Sequence, residues 1–206
     1  MGSKSWSRRT LLSTIDGLPG FDIVVADIDE EAVIAGKSLS PQETVAEIGL
    51  AKARALLASG KIPLVKKAGG FLITGDSVVT HKGMILGKPK DKTEARSILT
   101  SYASGVAPAT TVSSVVVVDL GRNVYWKAVD EAEVYFREMP QAVIDELLES
   151  NDTLESAGAL RIEHPLVEKY TDCIIGERSS VMGFPTLVVE RLLRNACQSI
   201  DNGTPL

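Results

Sequence analysis

A chain of 206 residues with 44% apolar and 24% charged residues can bury one sizeable core or two lobes, and its make-up is that of a globular protein. Its net charge of −5 argues against bulk nucleic-acid binding, which needs a basic face, yet leaves room for a small anionic ligand held by local cations. Two cysteines (Cys173, Cys197) and two histidines (His81, His164) fit no zinc or redox spacing, so any metal is expected on oxygen ligands, as magnesium or manganese.

Taken in chain order, the elements alternate. Arg8 to Ile15 is predicted as a short helix and Phe21 to Val25 as a strand, followed by the acidic cluster Asp27, Asp29, Glu30 and Glu31. Ser40-Pro41-Gln42-Glu43 is a capping box with proline at the first helical position, so a helix runs from there to about Ser59. Phe71 to Val79 reads as a strand, and Lys82-Gly83 turns it back toward Met84-Ile85-Leu86. Asp91-Lys92-Thr93-Glu94 opens a second capped helix to about Tyr102. Thr110 to Leu120 is a long β-branched strand, answered after Gly121-Arg122-Asn123 by Val124 to Lys127, with another strand at Ala132 to Arg137. Helices are predicted from Pro140 to about Glu149 and from Phe184 to Gln198. The pattern predicts an α/β fold with a mixed β-sheet flanked by helices. No stretch approaches the ~18 apolar residues of a membrane helix. No apolar secretory segment opens the chain, so a cytoplasmic protein is expected.

Several residues invite chemistry, and each has a plainer alternative. Asp76 ends an apolar run, Phe71-Leu72-Ile73, where a strand can hold an acid rigidly, although an aspartate there can also simply cap a turn. Lys88 stands in a Gly-Lys-Pro loop that lacks the Walker spacing; it is either a solvated lysine or a point charge for a phosphate. Lys52 shares a helix face with Val45, Ile48 and Leu56, so it either snorkels to water or is a cation aimed into a cleft. Arg8-Arg9 at a helix start opposes the helix dipole, which suggests another use. Carboxylates beside several cations would suit a nucleoside triphosphate with a divalent ion.

In this order the residues resemble the Maf family of nucleoside triphosphate pyrophosphatases. Ser3, Ser5 and Arg8 resemble its first loop; Asp29-Glu30, Lys52-Ala53, Gly75-Asp76-Ser77-Val78-Val79 and Lys88-Pro89 follow. Ser104-Gly105, Ala157-Gly158-Ala159 and Gly183-Phe184-Pro185 complete the series, and AEVYFREMPQAVID with LRIEHPL looks most like eukaryotic members. The family's first strand, which ends in Leu-Ala-Ser, is expected to be missing or shortened. Trp6 stands at the loop proline's place, and Ser7, Ser156 and Glu163 differ from the pyrimidine type.

The resemblance implies one Maf-like domain over residues 1–206, with two lobes around a cleft as in inosine triphosphate pyrophosphatases. It implies hydrolysis of non-canonical or pyrimidine (dTTP/UTP-like) nucleoside triphosphates to the monophosphate and pyrophosphate. The alternatives are the 7-methyl-GTP type and a nucleotide-binding regulatory protein without turnover. In this reading Glu30 and Asp76 hold a magnesium or manganese ion and Asp76 serves as base. Lys52 joins them in catalysis, while Ser3, Ser5, Arg8, Lys88 and Glu163 contact the substrate. The expected partner is the nucleotide, with neither nucleic acid nor membrane, and a homodimer is an option.

Overall fold

The computed structural model describes residues 6–18, 20–62, 69–198 and 203–206. Ser3 and Ser5 lie outside these residues. Seven strands form one sheet among the described residues: β1 (Phe71–Thr74), β2 (Ser77–His81), β3 (Met84–Leu86), β4 (Ala109–Asp119), β5 (Val124–Phe136), β6 (Thr171–Ile175) and β7 (Thr204–Pro205). The helices are α1 (Trp6–Ser13), α2 (Glu30–Ile34), α3 (Pro41–Ala58), α4 (Lys92–Ala103), α5 (Gln141–Glu149), α6 (Asn151–Glu155), α7 (Pro165–Tyr170), α8 (Arg178–Val181) and α9 (Thr186–Gln198), with a 3₁₀ turn at Ala157–Ala159. The strand order is β3-β2-β4-β5-β6, with β1 also on β4 and β7 on β5. Helices and sheet give the expected α/β class. The pairings of β1 with β4, β2 with β3, and β5 with β6 and β7 are antiparallel. No helix among the described residues is long and apolar enough to cross a membrane.

The chain divides into two compact units, Met1–Ser77 with Ser113–Asp130 and Gly183–Leu206, and Val78–Val112 with Glu131–Met182. In the first, β1 runs against β4 in the register Phe71↔Asp119 to Thr74↔Val116. Strand periodicity then sorts β4 into two faces. Val115 and Val117 pack with Leu12 of α1 and with Val189 and Leu192 of α9, whereas Val116 and Val118 pack with Leu50, Ala53 and Leu56 of α3. The predicted near-continuous apolar run in β4 is thus a strand covered on both sides. Helix α3 starts where its capping box places it. Ser40 Oγ accepts from the Glu43 amide at 3.2 Å, and a Glu43 carboxylate oxygen accepts from the Ser40 amide at 2.8 Å.

In the second unit, Lys82 and Gly83 both take positive φ (49° and 77°). A two-residue hairpin turn needs that backbone, and it joins β2 to β3. Asp91 caps α4 by accepting from the amides of Thr93 and Glu94 at 2.8 and 2.9 Å. Leu99 and Tyr102 of α4 bury against Ile144, Leu147 and Leu148 of α5.

Three expectations change. Phe21–Val25 forms no strand: Phe21 and Val24 are packed against the two cores of the first unit, so their apolar pattern serves burial without a hydrogen-bonded partner. The strand expected over Phe71–Val79 is broken at Gly75-Asp76 into β1 and β2. The two strands expected at Val124–Lys127 and Ala132–Arg137 are one, β5, whose exposed middle had read as a gap.

Because Leu99 is fully buried, Leu99→Ala leaves a cavity in the second unit. Unfolding in urea should show a loss of about 2–5 kcal/mol with an unchanged denaturant slope.

Candidate active site

The break between β1 and β2 is enforced by a backbone crossing. A Cβ on Gly75 would lie 2.1 Å from the carbonyl oxygen of Ser114, so only glycine fits there. The next residue, Asp76, is clamped on both backbone sides. Its carbonyl accepts from the Ser114 amide at 2.8 Å, and its own amide donates to Ser114 Oγ at 3.0 Å. Ser114 Oγ in turn donates to the carbonyl of Val45 in α3 at 2.6 Å. Thr74 Oγ1 donates to the carbonyl of Gly49 at 2.8 Å, and a Cβ on Gly49 would lie 2.7 Å from Ser114 Oγ. Helix α3 is therefore seated on the strand break through small residues on both sides.

This seating decides where Lys52 points. It lies three residues beyond Gly49 on the same helix face. Its Nζ sits 2.8 Å from Asp76 Oδ1 and 2.9 Å from Glu30 Oε1. The lysine side chain is 12% exposed, so its head does not snorkel to water; it is held between two acids. Asp76 is equally sheltered at 11%, while Glu30 is 47% exposed. Glu30 is the first residue of α2, whose amide ends favour negative charge. Asp29, read as part of an acidic cluster, caps that helix by accepting from the Ala32 amide at 3.0 Å.

Arg8 frames the same place from α1. Its guanidinium donates to the carbonyl of Gly183 (3.0 Å), the carbonyl of Gly75 (2.9 Å) and Ser77 Oγ (2.8 Å). Burial pulls its pKa below the ordinary arginine value, and the charges of Asp76 and Glu30 pull it back up. Gly183 is needed at φ +79°, where a Cβ would lie 2.7 Å from Ser77 Oγ. Arg8 thus braces the residues on both sides of Asp76, Gly75 through its carbonyl and Ser77 through its hydroxyl, and adds positive charge nearby.

The structure brings Glu30, Lys52, Asp76 and Arg8 together in the first unit. Ser3 and Ser5 fall outside the described residues. Lys88 and Glu163 belong to the second unit. There Lys88 Nζ pairs with Glu155 at 3.2 Å, both side chains well exposed, and Glu163 is exposed. The Lys88 loop is strapped to the Ala157-Gly158-Ala159 segment by a bond from the Gly158 amide to the Gly87 carbonyl, 3.0 Å. Gly158 has φ +70°, and a Cβ there would lie 2.8 Å from Val79 Cγ1. Sequence reasoning missed Ser114, Thr74 and Gly49. The one signal for Ser114 was a pair of serines, Ser113-Ser114, inside an otherwise β-branched strand that proves buried throughout its centre.

The donor set can be tested against a divalent ion. Glu30 and Asp76 converge on one point, now taken by the Lys52 ammonium, and hard carboxylate oxygens suit magnesium or manganese. No group of three or more His, Cys, Asp or Glu forms a closed cage among the described residues. The residues fit an ion that shares two carboxylates with water and phosphate oxygens, which is how magnesium is commonly held.

Comparison with known proteins gives the class. Residues 1–196 match the family model described as Maf-like protein, and the chain belongs to that family. Its relatives include a Dictyostelium discoideum protein named 7-methyl-GTP pyrophosphatase, 30% identical over 201 residues that cover 96% of each chain. A Bacillus anthracis protein named dTTP/UTP pyrophosphatase is 29% identical over 93% of this chain and 90% of its own. A Thermotoga maritima protein of the same name is 30% identical over 94% of this chain and 86% of its own.

The crossing at Gly75 makes a sharp prediction. Gly75→Ala must push a methyl into a backbone carbonyl, so it should cost on the order of 4 kcal/mol or prevent accumulation of folded protein. Gly49→Ala meets a side-chain hydroxyl instead of a backbone carbonyl, so it should be milder although it strains the Ser114 bonds; thermal unfolding of the two variants ranks them.

Proposed function

We propose that this chain hydrolyses nucleoside triphosphates of the dTTP/UTP type to the monophosphate and pyrophosphate, as one cytoplasmic Maf-like domain. The observation that carries the proposal is the sheltered Lys52 ammonium shared by Asp76 and Glu30 at a strand break. The names of the family relatives supply the substrate class. A second reading, 7-methyl-GTP, is favoured by the Dictyostelium relative and by Glu163.

In the proposed reaction water attacks the α-phosphorus, the bond to the bridging oxygen breaks, and pyrophosphate leaves with that electron pair. Asp76 accepts the proton of the attacking water. Its backbone bonds to Ser114 hold the carboxylate still, so little reorganisation is needed at the moment of attack. Lys52 keeps the Asp76 and Glu30 carboxylates close despite their repulsion and offers positive charge to the phosphoryl oxygens. A magnesium or manganese ion held by Glu30 and Asp76 would polarise those oxygens and lower the pKa of bound water. Ser3 and Ser5 are assigned to phosphate oxygens, Lys88 to the departing pyrophosphate and Glu163 to the base. Arg8 is assigned to the substrate's charge field through its place behind Asp76.

The direct test is a panel of triphosphates with and without magnesium or manganese. Pyrophosphate should appear from dTTP or UTP and stop when a chelator is added. Release of orthophosphate alone, or turnover that survives the chelator, contradicts the proposal. Binding with no product at all supports the regulatory alternative, and 7-methyl-GTP as best substrate selects the second reading.

Two substitutions probe the centre. Asp76→Asn keeps the shape and the contact to Lys52 but removes the base, so turnover should fall by roughly 10²–10⁴-fold with the melting temperature little changed. Lys52→Met preserves the packed stem and removes the charge, for a loss on the order of 10²-fold or more. Normal turnover in either variant would return that residue to a structural role.

A further inference from the structure

We propose that Ser114, a buried residue of β4, is a positioning residue that sets the Lys52–Asp76 geometry. The inference rests on the proposed reaction and adds a residue to it. Ser114 Oγ touches both halves of the pair's support. It accepts from the Asp76 amide at 3.0 Å and donates to the Val45 carbonyl at 2.6 Å. Val45 lies in α3 seven residues before Lys52, two turns along the same face. The hydroxyl therefore measures the distance between the helix that carries the ammonium and the strand break that carries the carboxylate.

The direction of both bonds is fixed by chemistry. An amide only donates and a carbonyl only accepts, so the hydroxyl has one arrangement that satisfies both. A second strut, from Thr74 Oγ1 to the Gly49 carbonyl at 2.8 Å, stops α3 from pivoting about the first. Space for the hydroxyl is provided by Gly49, whose missing Cβ would otherwise lie 2.7 Å from Ser114 Oγ. Removing the hydroxyl leaves the Asp76 amide without that acceptor in a buried setting and frees the aspartate to drift from Lys52. Misplacement by about 1 Å at a reacting group can cost up to 10²-fold in rate.

The test compares Ser114→Ala with Val118→Ala, a variant of a fully buried residue on the same strand and facing the same helix, outside the site. Both should lower the melting temperature. Only Ser114→Ala should lower kcat for pyrophosphate release, by about tenfold or more per folded molecule, with KM within a few-fold of wild type. Ser114→Thr, which keeps the hydroxyl, should recover most of kcat. Should Ser114→Ala fail to accumulate, Ser114→Cys reads the same contrast, because a thiol is a weak donor and acceptor. A kcat unchanged in Ser114→Ala or Ser114→Cys, or a kcat that falls equally in Val118→Ala, overturns the inference while leaving the pyrophosphatase reading intact. A wild-type protein that releases no pyrophosphate overturns that reading and the inference with it.

Discussion

The first unit depends on one place where two backbones meet with no side chain between them. At Gly75 the strand break lies so close to Ser114 that a methyl group cannot enter. Steric exclusion of this kind is harder than a hydrogen bond, because it cannot be rearranged at low cost. Everything around it follows. The break turns Asp76 off the end of β1, the small residues let α3 descend onto it, and the descent brings Lys52 to the acid. A side chain at Gly49 would press on Ser114 Oγ and the Gly75 backbone and so hold the helix away from the sheet.

The charges gathered there would be costly if they were not mutually satisfied. A sheltered ammonium and a sheltered carboxylate each lose hydration, and the loss is offset only when geometry and further hydrogen bonds are good. Here the ammonium has two carboxylates, and the aspartate's backbone is bonded on both sides. Arg8 adds a second positive group, whose hydrogens go to carbonyls and a hydroxyl of the chain itself. Three bonds to its own fold make Arg8 a brace of the first unit. A site of this kind is rigid before any substrate arrives, which is what electrostatic catalysis asks of it.

Much of this was readable from the chain. The capping box at Ser40, the Asp91 cap and the Lys82-Gly83 turn are local signals with local causes, and each falls where the pattern placed it. Lys52 stood out because a charge on an apolar helix face needs a partner. Its partners could not be read from the helix pattern, and only the family resemblance grouped it with Glu30 and Asp76, because they reach it through tertiary packing. Ser114 was invisible for a related reason: a serine in a β-branched strand looks like a neutral substitution until its neighbours across the layer are known. The strand predicted at Phe21–Val25 failed because alternation reports burial and not pairing. Helix α7 was missed because its cap is His164, which accepts from the Leu166 amide at 3.2 Å; histidine is not among the usual capping residues.

The bonds made by Arg8 have a consequence for how the protein comes into being. They tie residue 8 to residues 75, 77 and 183, and the unit they close is assembled from three stretches separated by the whole of the second unit. On a ribosome the first stretch emerges early but cannot complete its layer until Gly183 and α9 follow. The second unit, bounded by Val78 and Met182, has all its parts available sooner. Ordering by availability makes it the natural early folder, with the halves of the first unit waiting on either flank. Until α9 is delivered, the apolar faces of β1 and β4 that it covers stay open to solvent.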